Sequence, residues 1–311
     1  MKILHSITDF IFNTPLLELS RIYTGKGKLY GKMEFIQPGG SVKDRAAFYI
    51  LTQAKQKGIL APNQAVVEMS SGNMAAGLAV ACLALGHPYT VVMSAGNSPE
   101  RLKILKALDV NIILVPQVDG VMGKVTGNDI KKADEVARQI AIGQGAYYVD
   151  QFNNEYGTQA HYTTTGPEIW NDTEGTVTAF VATIGSAGTF TGTSTYLKEK
   201  NNTIDCIAVE PASAAILKTG KIENPQHIIQ GNGYGFVPTH WEENVANAIY
   251  TLTDDEVATT TKLLSTKEAL YVGYSAGANV AAAIKYLEQK NDDNARVVTI
   301  LCDTAYKYTT L

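Results

Sequence analysis

The sequence predicts an α/β protein built as two layered units, each a mostly parallel sheet with helices on both faces. Three observations predict it. Short apolar runs alternate with helix-period segments along almost the whole chain, the order that parallel strands joined by crossover helices require. Several of these runs end in a glycine- or serine-containing turn that opens directly into a helical pattern. The length of 311 residues suits two such units better than one.

In chain order, the runs that read as strands are Val66–Met69, Tyr89–Met93, Ile112–Val115, Tyr147–Val149, Val177–Thr183, Ile204–Val209, Ala269–Val272 and Val297–Leu301. Ser41–Lys57 reads as a helix with a serine cap, Asp44 three residues on and a stop at Gly58. Met74–Leu85 is rich in small residues and stops at Gly86, and Pro99–Leu108 carries proline in its first turn. Phe190–Glu199 and Asn279–Gln289 follow further glycine-containing turns. The break at Gly143-Gln144-Gly145 and the polar stretch from Asp150 divide the chain into 37–150 and 1–36 plus 151–311.

Composition narrows the function. An apolar content of 45% with 18% charged residues describes a soluble globular protein. A net charge of -4 gives no electrostatic footprint for nucleic acid or anionic lipid. No apolar run approaches the roughly 18 residues of a membrane span. Met1-Lys2-Ile3-Leu4-His5-Ser6 lacks a secretory core, so a cytoplasmic protein is expected. Cys82, Cys206 and Cys302 have no metal-ligand spacing and sit in apolar runs, as buried reduced thiols do.

Four segments carry chemistry. Pro38-Gly39-Gly40-Ser41-Val42-Lys43-Asp44-Arg45 places Lys43 at a helix mouth, where the dipole disfavours a cation and eases loss of its proton. Such a lysine can attack an aldehyde as a neutral amine; it can also be an exposed lysine in a capped helix start. Ser70-Ser71-Gly72-Asn73-Met74 offers hydroxyls, a carboxamide and helix-terminal N–H groups to a carboxylate, or simply caps a helix. Gly185-Ser186-Ala187-Gly188-Thr189 can close backbone amides on a phosphate, or pack a helix close to a strand. It is neither a Walker loop nor a dinucleotide G-x-G-x-x-G turn, which speaks for a monophosphate and against a nucleotide-binding oxidoreductase. In Gly273-Tyr274-Ser275-Ala276-Gly277-Ala278-Asn279, Ser275 can cap a helix or bond an aromatic ring nitrogen. A neutral hydroxyl there leaves a pyridine unprotonated, which couples proton loss at Cα to departure of a group at Cβ.

Taken in this order, the segments resemble those of the fold-type II pyridoxal-phosphate enzymes of the cysteine synthase and cystathionine β-synthase family. The likeness runs from Asn13-Thr14-Pro15-Leu16 to Tyr308. It includes Gln151-Phe152-Asn153-Asn154, Thr164-Thr165-Gly166-Pro167-Glu168-Ile169-Trp170, Glu210-Pro211 and Gly231-Asn232-Gly233-Tyr234-Gly235-Phe236-Val237-Pro238. The resemblance implies pyridoxal 5′-phosphate in the cleft between two α/β domains. It implies Lys43 as Schiff-base residue and carrier of the Cα proton, Asn73 at the cofactor's 3′-oxygen, and Gly185, Ser186, Ala187, Gly188 and Thr189 as the phosphate loop. Ser275 would meet the ring nitrogen, with Asp303-Thr304 shaping the pocket behind it. Ser70, Ser71, Gly72, Met74 and Gln151 fall where the family binds the substrate carboxylate. Met74 stands where threonine is usual, Ala187 where glycine is common and Gln37 where asparagine is. The Gly231–Pro238 loop has no arginine to pair with a phosphorylated serine donor. The sequence leaves no room for a regulatory nucleotide-binding module or a haem-binding extension.

The activity so implied is β-replacement on a serine- or cysteine-type amino acid through an aminoacrylate intermediate, with a thiol, sulfide or other nucleophile, in a homodimer. The alternative within the same cofactor class is β-elimination, releasing sulfide or water with pyruvate and ammonia; the dehydratase-like serine pair and Met74 point to it. A non-enzymatic protein keeping the fold as scaffold is a third reading, and intact Lys43 and Asn73 speak against it.

Overall fold

A computed structural model of the protein describes residues 3–97, 99–122 and 125–308. In chain order its elements are β1 (Leu16–Glu18), β2 (Lys28–Lys32), α1 (Lys43–Gln56), β3 (Val66–Met69), α2 (Asn73–Leu85), β4 (Tyr89–Ser94) and α3 (Pro99–Ala107). They continue with β5 (Asn111–Val115), α4 (Gly127–Gln144), β6 (Tyr147–Tyr148), α5 (Tyr156–Ala160), α6 (Gly166–Asp172), β7 (Ala179–Thr183) and α7 (Gly188–Lys200). The last are β8 (Asp205–Pro211), α8 (Ile216–Thr219), β9 (Ala248–Leu252), α9 (Asp254–Glu268), α10 (Tyr274–Lys290) and β10 (Arg296–Ile300). Two compact units result. One holds Gln37–Gly157 with the residues up to Ile11 and from Lys307; the other holds Phe12–Ile36 and Thr158–Tyr306.

The first unit is a parallel sheet in the order β5-β4-β3-β6. Side chains alternate across a strand, and here the alternation sorts them into two layers. Val66, Val91 and Met93 pack with Ile50 and Leu51 of α1 and Leu78 of α2. Val67, Met69 and Val92 pack on the opposite face with Ala133, Ala137 and Ala141 of α4. Strands apolar on both faces lose their polar alternation, which is why they read as continuous runs.

The second unit has the order β1-β2-β10-β7-β8-β9, parallel except for β1. Ala179, Val181, Ile207, Val209 and Val297 face the layer made by α9 and α10. On the other face, Phe180 of β7 stacks on Phe190 of α7 with ring centroids 6.3 Å apart, and Phe190 stacks on Trp241 at 5.6 Å. The doubled α/β architecture read from the sequence is the one observed.

Four local expectations differ. Ala269–Val272 is no strand: Ala269 ends α9 in the left-handed region at φ 56°, and Val272 makes only an isolated bridge to Thr304. α10 begins at Tyr274, so the glycine turn before it is already helical. Val42 rather than Ser41 holds the N-cap position of α1; Ser41 Oγ accepts from Lys43 N one residue earlier than expected, and the Asp44 carboxylate accepts from Gly39 N. Cys82 and Cys206 are buried, and burial pushes the Cys82 thiol up to about 12, but Cys302 is partly exposed. Among the described residues no helix is long and apolar enough to cross a membrane, and no group of histidine, cysteine and acidic residues could hold a metal ion.

Candidate active site

The four motif segments open four helices, and none of these helices has a side-chain cap. The N-cap residues of α1, α2, α7 and α10 are Val42, Gly72, Ala187 and Gly273, without a side-chain hydrogen bond to the first turn. By contrast, α4 and α9 begin with full capping boxes at Thr126–Asp129 and Thr253–Glu256. Helix starts leave N–H groups unsatisfied by the helix itself, and a start without a cap can turn them toward an anion. The capping reading gives way at Ser70 to Asn73 and at Ser275; at α1 the Ser41 hydroxyl still accepts from the first helical N–H, that of Lys43.

In the first unit, Lys43 is the first residue of α1, and its backbone N–H donates to Ser41 Oγ at 3.3 Å. Gly40 takes φ +75°, and its N–H closes a turn on Gln37 O at 2.7 Å, which brings the chain sharply into α1. α2 packs close to this point because Gly77 has no side chain. A Cβ there would lie 3.2 Å from the Asp44 backbone and the Lys43 carbonyl carbon. The Ser70–Met74 turn and Lys43 are thus held on two helices in direct contact. Ser70 is buried and its Oγ accepts from Gly72 N at 3.4 Å. Met74 is 3% exposed and packs into the apolar layer with α1. Asn73 Oδ1 accepts from Lys307 Nζ at 2.8 Å, which fixes the orientation of the amide.

Gln151, after β6, is tied to β3. Its Nε2 donates to Glu68 Oε1 at 3.0 Å and to Met69 O at 3.2 Å, while Asp150 N donates to Glu68 Oε2 at 2.9 Å. Burial of Glu68 pushes its carboxyl up to about 8, against the N–H donors that pull it down. An acid raised on folding binds its proton more tightly in the native state. Its contribution to stability is therefore full below pH 4.5 and is lost as pH rises through about 8. Glu68→Gln is expected to flatten this part of the stability–pH curve, checked by denaturant unfolding at pH 5 and pH 8.5. A curve unchanged by the substitution would show that Glu68 does not titrate in this window.

In the second unit, Gly185, Ser186 and Ala187 turn from β7 into α7. A Cβ on Gly185 would strike Gly231 O at 2.6 Å, so the loop beginning at Gly231 closes one side of the cup. Thr189 Oγ1 lies 3.2 Å from His161 Nε2, and His161 Nδ1 lies 2.9 Å from Thr165 Oγ1. His161 starts a five-residue π-helix, His161–Thr165, between α5 and α6. On the same side Asn232 Nδ2 reaches Ser275 Oγ at 3.5 Å, and Gly273 N donates to Asp303 O at 3.1 Å. Small residues, helix-start N–H groups and hydroxyls fit a phosphate in the cup, and the Ser275 hydroxyl lies beside Asn232 of the Gly231 loop.

Ala187 holds φ 68° with its methyl buried. A left-handed alanine costs about 1–2 kcal/mol, which glycine avoids while losing more entropy on folding. Ala187→Gly is expected to raise stability by up to about 1 kcal/mol, read from the denaturant midpoint of the cofactor-free protein. A lower midpoint would mean that the methyl's packing outweighs the backbone strain.

Sequence reasoning missed Glu68, His161 and Lys307. His161 stands three residues before the Thr164–Trp170 segment already singled out, and Glu68 is the acidic residue inside an apolar strand. Lys307 gives no signal of its own.

Comparison with known proteins agrees with this geometry. The model of the family described as "Pyridoxal-phosphate dependent enzyme" matches residues 7–303. Cysteine synthase A of Escherichia coli K12 is 35% identical over 99% of this chain and 94% of its own length. The O-acetylserine dependent cystathionine beta-synthase of Bacillus subtilis is 34% identical over 99% of this chain and 97% of its own. Among solved structures, a hydrogen sulfide-producing enzyme from Fusobacterium nucleatum superposes with a TM-score of 0.91 at 32% identity, covering 99% of both chains.

Proposed function

The chain belongs to the pyridoxal-phosphate dependent enzyme family, and from that premise we propose that it catalyses β-replacement on a serine- or cysteine-type amino acid. The nucleophile is a thiol, sulfide or similar group. The observation that carries the reading is the set of four uncapped helix starts at the four motif segments. The starts of α2, α7 and α10 offer N–H groups or hydroxyls where a carboxylate, a phosphate or a polar ring atom has to be held, and the start of α1 presents Lys43. Relatives that span nearly the whole chain, a cysteine synthase and an O-acetylserine dependent enzyme, support the replacement reaction over elimination.

When bound, pyridoxal phosphate supplies the electron sink that labilises the Cα proton and lets the β-substituent depart. Lys43 Nζ would carry the group covalently and would move the Cα proton. Backbone N–H groups of Gly185, Ser186, Ala187 and Gly188, with the Ser186 and Thr189 hydroxyls, would hold the phosphate. Asn73, its amide oriented by Lys307, would donate from its nitrogen to the cofactor's ring oxygen. Ser275 presents a neutral hydroxyl to the ring nitrogen. Ser70, Ser71, Gly72 and Gln151 orient the substrate carboxylate, and Met74, with its side chain in the core, contributes its backbone N–H. On the family resemblance we further propose that it works in the cytoplasm as a homodimer.

The test is an absorbance spectrum of the purified protein, followed by titration with L-cysteine, L-serine and O-acetyl-L-serine and product analysis with sulfide. A band near the visible edge that shifts with one amino acid, and a sulfur-containing amino acid as product, are expected. Pyruvate as the main product in the presence of sulfide would replace this reading with elimination. A protein that stays colourless after reconstitution with pyridoxal phosphate would end it.

A further inference from the structure

β3 carries a carboxylate where its neighbours Val66, Val67 and Met69 carry apolar side chains. Glu68 is 1% exposed. A sheet built only for packing would place an apolar residue here, because a buried carboxyl is costly unless it is well bonded. Its bonds are specific: Oε2 accepts from Asp150 N, and Oε1 accepts from the Gln151 side chain. Both partners of Gln151 Nε2, Glu68 Oε1 and Met69 O, are acceptors, so the nitrogen end of the amide must face them. The bond to Met69 O is the longer of the two, 3.2 Å against 3.0 Å.

We propose that Glu68 is a positioning residue for Gln151: it anchors one N–H of the side-chain amide, so that the other, shared with Met69 O, is the one offered to the carboxylate of the amino-acid substrate. The inference rests on the reading of Gln151 as a substrate-binding residue. Without the anchor the amide can turn over and present its oxygen to an anion, which repels it. Burial, by raising the Glu68 carboxyl, also limits the negative charge beside an anionic substrate. Glutamine at position 68 would have a single acceptor oxygen for two N–H donors, Asp150 N and Gln151 Nε2, so the isosteric change puts them in competition and weakens the anchor without emptying the space.

The experiment uses holoenzyme of the wild type, Glu68→Gln, Gln151→Ala and the double variant. Each is titrated with O-acetyl-L-serine, read from the cofactor's absorbance and from kcat and KM. Each single change is expected to weaken binding about tenfold, with KM rising more than kcat falls, the loss of one hydrogen bond to a charged group. The double variant is expected to bind no more weakly than Gln151→Ala alone, because Glu68 acts only through Gln151. Additive losses of about a hundredfold, or wild-type binding by Glu68→Gln, overturn the inference and leave the substrate-binding reading of Gln151 standing. Wild-type binding by Gln151→Ala overturns both. Where Glu68→Gln does not retain the cofactor, Glu68→Asp withdraws the carboxylate by one methylene, and the same non-additivity is expected of it.

Discussion

Lys43→Ala is expected to abolish turnover, with a loss of at least about a thousandfold, and to remove the visible band of the lysine-bound cofactor. The expectation comes from position as well as residue type. Lys43 opens α1 without a side-chain cap, and Gly77 lets α2 approach its backbone to van der Waals contact. No second lysine is placed on that turn, so nothing else can supply the amine from the same point. Lys43→Arg is expected to fail equally, since a guanidinium keeps its proton and cannot attack a carbonyl. Because the change truncates a partly exposed side chain, the unfolding midpoint of the cofactor-free protein should move little. Retained activity together with a retained band would mean that another residue carries the cofactor.

Lys32→Ala is expected to cost about 3–5 kcal/mol of stability. Lys32 is fully buried in β2, yet its Nζ lies 3.0 Å from Glu168 Oε2 and 2.9 Å from Asp172 Oδ2 of α6, and it also donates to Thr14 O. Removing the ammonium takes the counter-ion from Glu168, which is 11% exposed and keeps Asn13 N as a donor, and empties the room the side chain fills. Lys32→Met keeps most of the volume and is expected to lose less than alanine, though still more than Lys28→Met at the exposed pair with Glu18. Denaturant unfolding of the three variants checks the order. A loss below about 1 kcal/mol for Lys32→Ala would show that the buried pair does not hold α6 to the sheet.

What the sequence makes legible is whatever one stretch of chain decides alone. The inner strands are apolar on both faces, so β3, β4, β7 and β8 appear as runs. The motif turns are equally local, each a strand end, a few small residues and a helix start. β2 escapes notice because it contains the buried Lys32 and Gly31, a glycine needed where a Cβ would come within 2.8 Å of Leu301. α9 has a readable capping box, but its Thr-Thr-Thr-Lys stretch blurs the helical period. Ala269–Val272 has the composition of a strand and is the exit from that helix, fixed by tertiary contacts. In the site, Glu68 with Gln151 and Asn73 with Lys307 are invisible because their partners lie 83 and 234 residues away. Sequence reading finds which groups are present; distance along the chain hides which of them hold the others still.

The strand order of the larger sheet also has a consequence for how the protein is made. Among the described residues β10 is the last strand; it lies between β2 and β7, and the β1–β2 ribbon joins the rest of its sheet through it. On a ribosome, roughly 260 residues must be added between the two partners, a wait of tens of seconds at ordinary rates. During that time β2 offers an unpaired edge, while the residues of the smaller sheet have all emerged and can fold on their own terms. Nascent chains stalled short of Arg296 are therefore the species that most need a chaperone, and the final strand acts as the keystone that ends that need.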